Sequence, residues 1–105
     1  MSARASLATM AQVPLTKAES RTRWAQLRAL VNTWDPIGLI EAGAPEDEYE
    51  CIVGPLMRML EERTSQAKMI DFLSKEFDEH FGTPVDDPSD FVRSADAWYS
   101  ATWVR

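Results

Sequence analysis

Apolar residues recur at three- and four-residue spacing along four stretches of the chain, and proline, glycine or small polar residues separate those stretches. In the first, Trp24, Leu27, Leu30, Val31 and Trp34 form one stripe while Arg21, Gln26 and Arg28 fall off it, so the stripe is core and the arginines are surface. Thr16 and Glu19 have the spacing of a capping box, which predicts a helix from Thr16 to about Thr33. Asp35-Pro36 stops it, because the proline ring disfavours helical backbone in the residue before it and brings no amide donor. Asp35 is a candidate cap for the turn that follows. Ile37, Leu39 and Ile40 are too apolar for an idle loop and are expected to tuck under the bundle, with Gly38 and Gly43 allowing the bends.

A second helix is expected from Ala44-Pro45, since proline suits the first helical position and Glu46, Asp47 and Glu48 favour the positive end of the helix dipole. Its buried face is Tyr49, Ile52, Val53, Leu56, Met57 and Leu60. Gly54-Pro55 interrupts it, giving either a kink or two short helices meeting at Gly54; the apolar period continues across the pair, which favours the kink. Thr64-Ser65 precedes a third helix, Gln66 to Phe81, with Ile70, Leu73, Phe77 and Phe81 on one face and Gly82 as terminator. Asp87-Pro88 opens a fourth, carrying Phe91, Ala95, Trp98 and Thr102, with Val92 and Tyr99 alongside. No period-two alternation is long enough to argue a strand. The expected fold is all-α, a compact bundle of about four helices with a kinked second helix. Residues 16–105 form a single helical domain behind a flexible tail at 1–15.

Length allows one hydrophobic core and not two, with 105 residues of which 45% are hydrophobic. The lone Cys51 makes no internal disulfide, and neither a Cys-x-x-Cys pair nor a Cys/His set is present for zinc, so a reducing cytoplasm is the expected setting. Charge is divided unevenly. Residues 1–28 hold Arg4, Lys17, Arg21, Arg23 and Arg28 against Glu19, so with -6 on the whole chain, -10 falls on residues 29–105. An acidic body repels phosphate backbones and argues against nucleic acid; a basic protein partner is favoured instead. Residues 1–15 lack acids and are rich in small residues, as transit peptides are, but only Arg4 precedes Lys17 and no apolar core of signal length is present, so an unstructured tail is the simpler expectation, with Met10 as an alternative start. No run approaches the roughly 18 apolar residues that span a bilayer.

The run Glu46-Asp47-Glu48-Tyr49-Glu50 reads as a solvated helix start, a docking surface or a cation site. On a helix Glu46 and Glu50 share a face while Asp47 and Glu48 diverge, and the glycine and ligand alternation of a calcium loop is missing, so no metal is expected. His80 follows Glu76 by one helical turn, a spacing that orients an imidazole for proton transfer or ligation, yet capping or packing at a helix end is the simpler role. Acidic neighbours suppress the thiolate of Cys51, which reads as a small buried or half-buried residue. Phosphate loops, a nucleophile elbow and paired zinc ligands are absent from the sequence. Trp98 and Tyr99 point about 100° apart on a helix, so one can face the core, and Trp103 is the candidate for an exposed contact.

The Trp34-Asp35-Pro36-Ile37-Gly38-Leu39 block, the Pro45-Glu46-Asp47-Glu48-Tyr49-Glu50 block and the helix ending in Met57-Arg58-Met59-Leu60 resemble the YugE-like family of small bacterial helical proteins of unknown function. The likeness covers about residues 24–82, including Glu79-His80. It implies a bacterial cytoplasmic helical fold and transfers no catalytic residue. The expected function is a non-enzymatic protein-interaction module, of immunity or regulatory type, with Glu46, Asp47, Glu48, Glu50 and Trp103 meeting a basic protein partner and with no cofactor. The competing expectation is a small metal-dependent or acid/base enzyme using Glu46, Glu76, Glu79 and His80; self-association through an exposed apolar strip is a third.

Overall fold

The computed structural model describes residues 15–103, so the expected tail lies outside the described residues apart from Leu15. Among the described residues four helices follow one another: α1 (Lys17–Trp34), α2 (Glu50–Glu61), α3 (Gln66–Glu79) and α4 (Ser89–Thr102). Each packs on the next, and α4 returns to α1, closing the bundle. No strand occurs among the described residues.

The capping box at the start of α1 forms in full: the Glu19 amide donates to the Thr16 hydroxyl at 3.0 Å, and the Thr16 amide donates to the Glu19 carboxylate at 2.9 Å. Leu27 and Val31 are fully buried, while Trp24, Leu30 and Trp34 on the same stripe are half-buried and pack on the core from its edge. Ser65 caps α3 by accepting from the Lys68 amide at 3.2 Å. Past the end of α3 the chain reverses at Gly82, whose φ of 66° is a conformation that glycine adopts without a side-chain clash. The Thr83 amide then donates to the Phe77 carbonyl at 3.0 Å and satisfies one of the last free carbonyls.

Two helix starts differ from expectation. The second helix begins at Glu50, not at Ala44-Pro45. Residues 45–49 wind as turns instead, with the Glu48 amide donating to the Pro45 carbonyl and the Glu50 amide to the Asp47 carbonyl. The Asn32 side-chain amide donates to the Glu46 carbonyl at 2.9 Å, so this segment is held by α1 and not by its own helical ladder. Pro88 is the N-cap of α4, one position ahead of its expected place, and Asp87 accepts from the Ser89 amide at 2.9 Å. The third helix stops at Glu79, short of Phe81.

Through Gly54-Pro55 the second helix is one continuous element, which removes the alternative of two short helices meeting at Gly54. A Cβ on Gly54 would lie 3.3 Å from Cη2 of Trp24, so the missing side chain is what lets the indole of α1 lie close against α2. Pro55 offers no amide to the Cys51 carbonyl, a local loss set against the burial of Ile52, Val53, Leu56 and Leu60 on the same helix. Phe77 is the centre of the aromatic core, edge-on to Trp34 at 5.7 Å and in contact with the rings of Tyr49 and Phe81.

Candidate functional site

The joint between α1 and α2 is organised by Asp35. Its backbone is left-handed (φ 42°, ψ 57°), a conformation aspartate tolerates better than most residues, and its amide closes α1 by donating to the Val31 carbonyl at 2.9 Å. That geometry aims the carboxylate into the following turn, where one oxygen accepts from the Ile40 amide at 3.0 Å and the other from the Glu41 amide at 3.0 Å. The fully buried Tyr49 donates its hydroxyl to the same carboxylate at 2.7 Å. Partial burial pushes the Asp35 carboxyl up, but the Tyr49 hydroxyl and the amides of Glu41, Ile40 and Leu39 outweigh it and hold the group below the ordinary carboxylate range. The Tyr49 phenol is pushed up to about 12, by burial first and by the Asp35 carboxylate second. Ile37, Leu39 and Ile40 are half-buried against the core, as their apolar character requires.

This latch leaves Glu46, Asp47 and Glu48 exposed on the outside of the joint, joined by the exposed Glu41. None of these side chains makes an ion pair or hydrogen bond among the described residues. Glu50 is placed differently. One of its oxygens accepts from Arg28 at 3.1 Å and the other from the Trp24 indole at 3.1 Å, so it ties α2 to α1 from a half-buried position. Arg28, expected as free surface, is therefore part of the helix contact. Trp103 also turns inward: its indole donates to the Gln26 carbonyl oxygen at 3.2 Å, and the Arg23 guanidinium lies 5.9 Å from its ring. Trp98 donates to the same Gln26 oxygen at 3.1 Å. Trp103 is therefore half-buried, where an exposed contact is expected from the sequence. Gln26 lies off the apolar stripe, and its position alone gives no sign that it receives two indoles from the far end of the chain.

The residues of the enzyme reading do not form a comparable site. Glu76 is half-buried, whereas Glu46, Glu79 and His80 are exposed, and the His80 ring stands edge-on to Phe81 at 5.1 Å. Among the described residues no group of three or more His, Cys, Asp or Glu side chains is gathered so as to hold a metal. Cys51 is exposed, where a buried or half-buried thiol is expected from the sequence. Partial desolvation, followed by the Glu76 and Glu48 carboxylates, pushes its thiol up and away from the nucleophilic form.

No protein-family model, curated protein or solved structure matches the chain. The geometry itself supplies a second surface that the periodicity hides. A cleft of about 500 Å³ opens between α1 and α4, with Leu30, Trp34 and Phe91 as its apolar lining, Ser94 beside them and Asp87 and Asp90 at its rim. Trp34 and Phe91 stack face to face, 4.3 Å apart and 9° from parallel. No helix among the described residues is long and apolar enough to cross a membrane.

Proposed function

We propose that the protein is a non-enzymatic protein-interaction module, of immunity or regulatory type, whose acidic joint meets a basic partner protein in a reducing cytoplasm. The observation carrying this reading is the set of unpaired carboxylates on Glu46, Asp47 and Glu48, exposed on a joint held by the Asp35–Tyr49 and Asn32–Glu46 hydrogen bonds. Unpaired charges on an anchored backbone attract an opposite charge without first breaking internal ion pairs. Such charges govern the rate and selectivity of encounter more than the final affinity. Glu50 and Trp103, named with them from the sequence, act from inside the scaffold by fixing α1 against α2 and α4. The high negative charge of residues 29–105 argues against nucleic acid as the partner. The resemblance to the YugE-like family belongs to the same proposal and adds no activity to it. The competing enzyme reading would draw on Glu76, which is half-buried, and on Glu46, Glu79 and His80, which are exposed.

Cross-linking of the intact protein in its native cells, followed by identification and purification of the partner, tests the proposal. The expected partner is basic, and its association rate falls as salt rises. Combined E46Q, D47N and E48Q substitution is expected to slow association about tenfold while leaving the helical circular dichroism unchanged. An association rate indifferent to salt and to the triple substitution overturns it.

A further inference from the structure

We infer that the cleft beside Trp34 anchors a segment of that partner bearing an aliphatic side chain flanked by lysine or arginine, an inference that rests on the reading of the acidic joint as a docking surface. The cleft has the volume of a small ligand site, and Leu30, Trp34 and Phe91 give it one apolar wall beside the polar Thr33, Ser94, Asp87 and Asp90, a mixed lining suited to an aliphatic side chain with a charged neighbour. Stacking of Trp34 on Phe91 makes the wall flat and rigid, and half-burial of Trp34 keeps part of its ring open to an incoming group. Preformed aromatic walls of this sort carry a large share of interface affinity.

Charge complementarity selects the flanking residues. Among the described residues the charged groups lining the cleft are Asp87 and Asp90, both acidic. Asp87 is held in its charged form by hydrogen bonds from Ser89, and its exposed carboxylate is open to an ammonium or guanidinium arriving at the rim. Asp90 pairs with Arg93 three residues on, but both side chains are highly exposed, so that pair is weak and open to exchange. An acidic or neutral apolar peptide would gain the wall and no charge pairing with Asp87 at the rim.

The cleft and the acidic run share the last turns of α1 and lie on different flanks of it. Asn32, which holds Glu46, is about 200° around the helix from Trp34, which lines the cleft. The two surfaces can therefore be disabled separately. The acids act at a distance to bring the partner in, and the cleft retains it by burying apolar surface.

Nuclear magnetic resonance titration of the full chain with a hexapeptide alternating leucine and lysine, and with hexalysine as a charge-only probe, tests the inference. The mixed peptide is expected to shift the Trp34 indole and the Ser94 amide, and to bind at least fivefold more tightly than hexalysine. Combined D87N and D90N substitution should weaken it at least fivefold, and Ser94→Lys, an exposed change that obstructs the cleft with a like charge, should abolish the cleft shifts. E46Q/D47N/E48Q should leave those shifts in place. Equal binding of both peptides with shifts confined to residues 46–48 overturns the cleft as the anchor while the acidic joint stands. Cleft shifts insensitive to Asp87, Asp90 and Ser94 changes, or no shifts from either peptide, also overturn it, and the salt dependence of the native partner then judges the joint independently.

Discussion

Tyr49 contributes a ring to the core and a hydroxyl to Asp35, a carboxylate 14 positions earlier in the chain. Removing only the hydroxyl isolates the second contribution. Tyr49→Phe is expected to destabilise the fold by about 1.5–3 kcal/mol, the range for a hydrogen bond to a charged group, as measured by urea denaturation at neutral pH. The same pair sets the pH limits of the joint. Because the folded Asp35 carboxyl titrates below its unfolded value, the unfolded chain takes up the proton first as pH falls, and this stabilisation is present above about pH 4 and lost in more acidic solution. Tyr49 acts at the other end: its folded phenol is raised to about 12, so the unfolded chain releases its proton first and stability is lost from about pH 10 upward. The Phe variant should lack that alkaline loss, which thermal melts across the range would reveal. An unchanged alkaline limb would separate Tyr49 from it.

Elements succeed where local signals and tertiary contacts agree. The start of α1 was readable from Thr16 and Glu19 because a capping box is satisfied entirely by neighbours in sequence. Pro45-Glu46-Asp47-Glu48 carries equally good helix-start chemistry, yet those residues form turns, since Asn32 holds the Glu46 carbonyl and Asp35 the Tyr49 hydroxyl on either side, and the helix is delayed to Glu50. Gly54 is the converse case: it weakens the helix locally and permits the approach of Trp24. Alanine there gains about 1 kcal/mol of helix propensity, but its Cβ would press on an indole whose nitrogen is fixed to Glu50. Gly54→Ala is therefore expected to destabilise by about 1 kcal/mol net, and to become stabilising in a Trp24→Phe background, where the ring is smaller and no longer fixed. A double-mutant cycle by chemical denaturation measures that change of sign.

Across the whole molecule, Arg23 joins three helices at one end of the bundle. From α1 it pairs with Glu61 of α2, donates to the Tyr99 hydroxyl of α4 at 3.2 Å, and stacks near the rings of Tyr99 and Trp103. The Arg23 side chain is 13% exposed and that of Glu61 41%, so solvent screens the ion pair and the buried stacking and the tyrosine bond carry most of the effect. Arg23→Lys should cost about 1–2 kcal/mol because an ammonium cannot reproduce the planar stack and the divided donors, whereas Glu61→Gln should cost less than about 1 kcal/mol. Equal losses in the two variants, read from urea midpoints, would show that the ion pair dominates instead.

Fold class, helix number and most core positions are set by the chain's own periodicity, because an amphipathic helix declares its buried face at fixed spacing whatever it packs against. Leu27, Val31, Leu73 and Phe77 are buried for that reason. The roles of Glu50, Gln26, Arg23 and Trp103 were decided only when distant segments met, since a polar side chain on a helix edge has the same sequence signature whether it faces water or a neighbouring helix. The cleft belongs to the same category. Trp34 and Phe91 are each ordinary stripe residues, and only the closing of α4 onto α1 turns them into one stacked wall with acids at its rim.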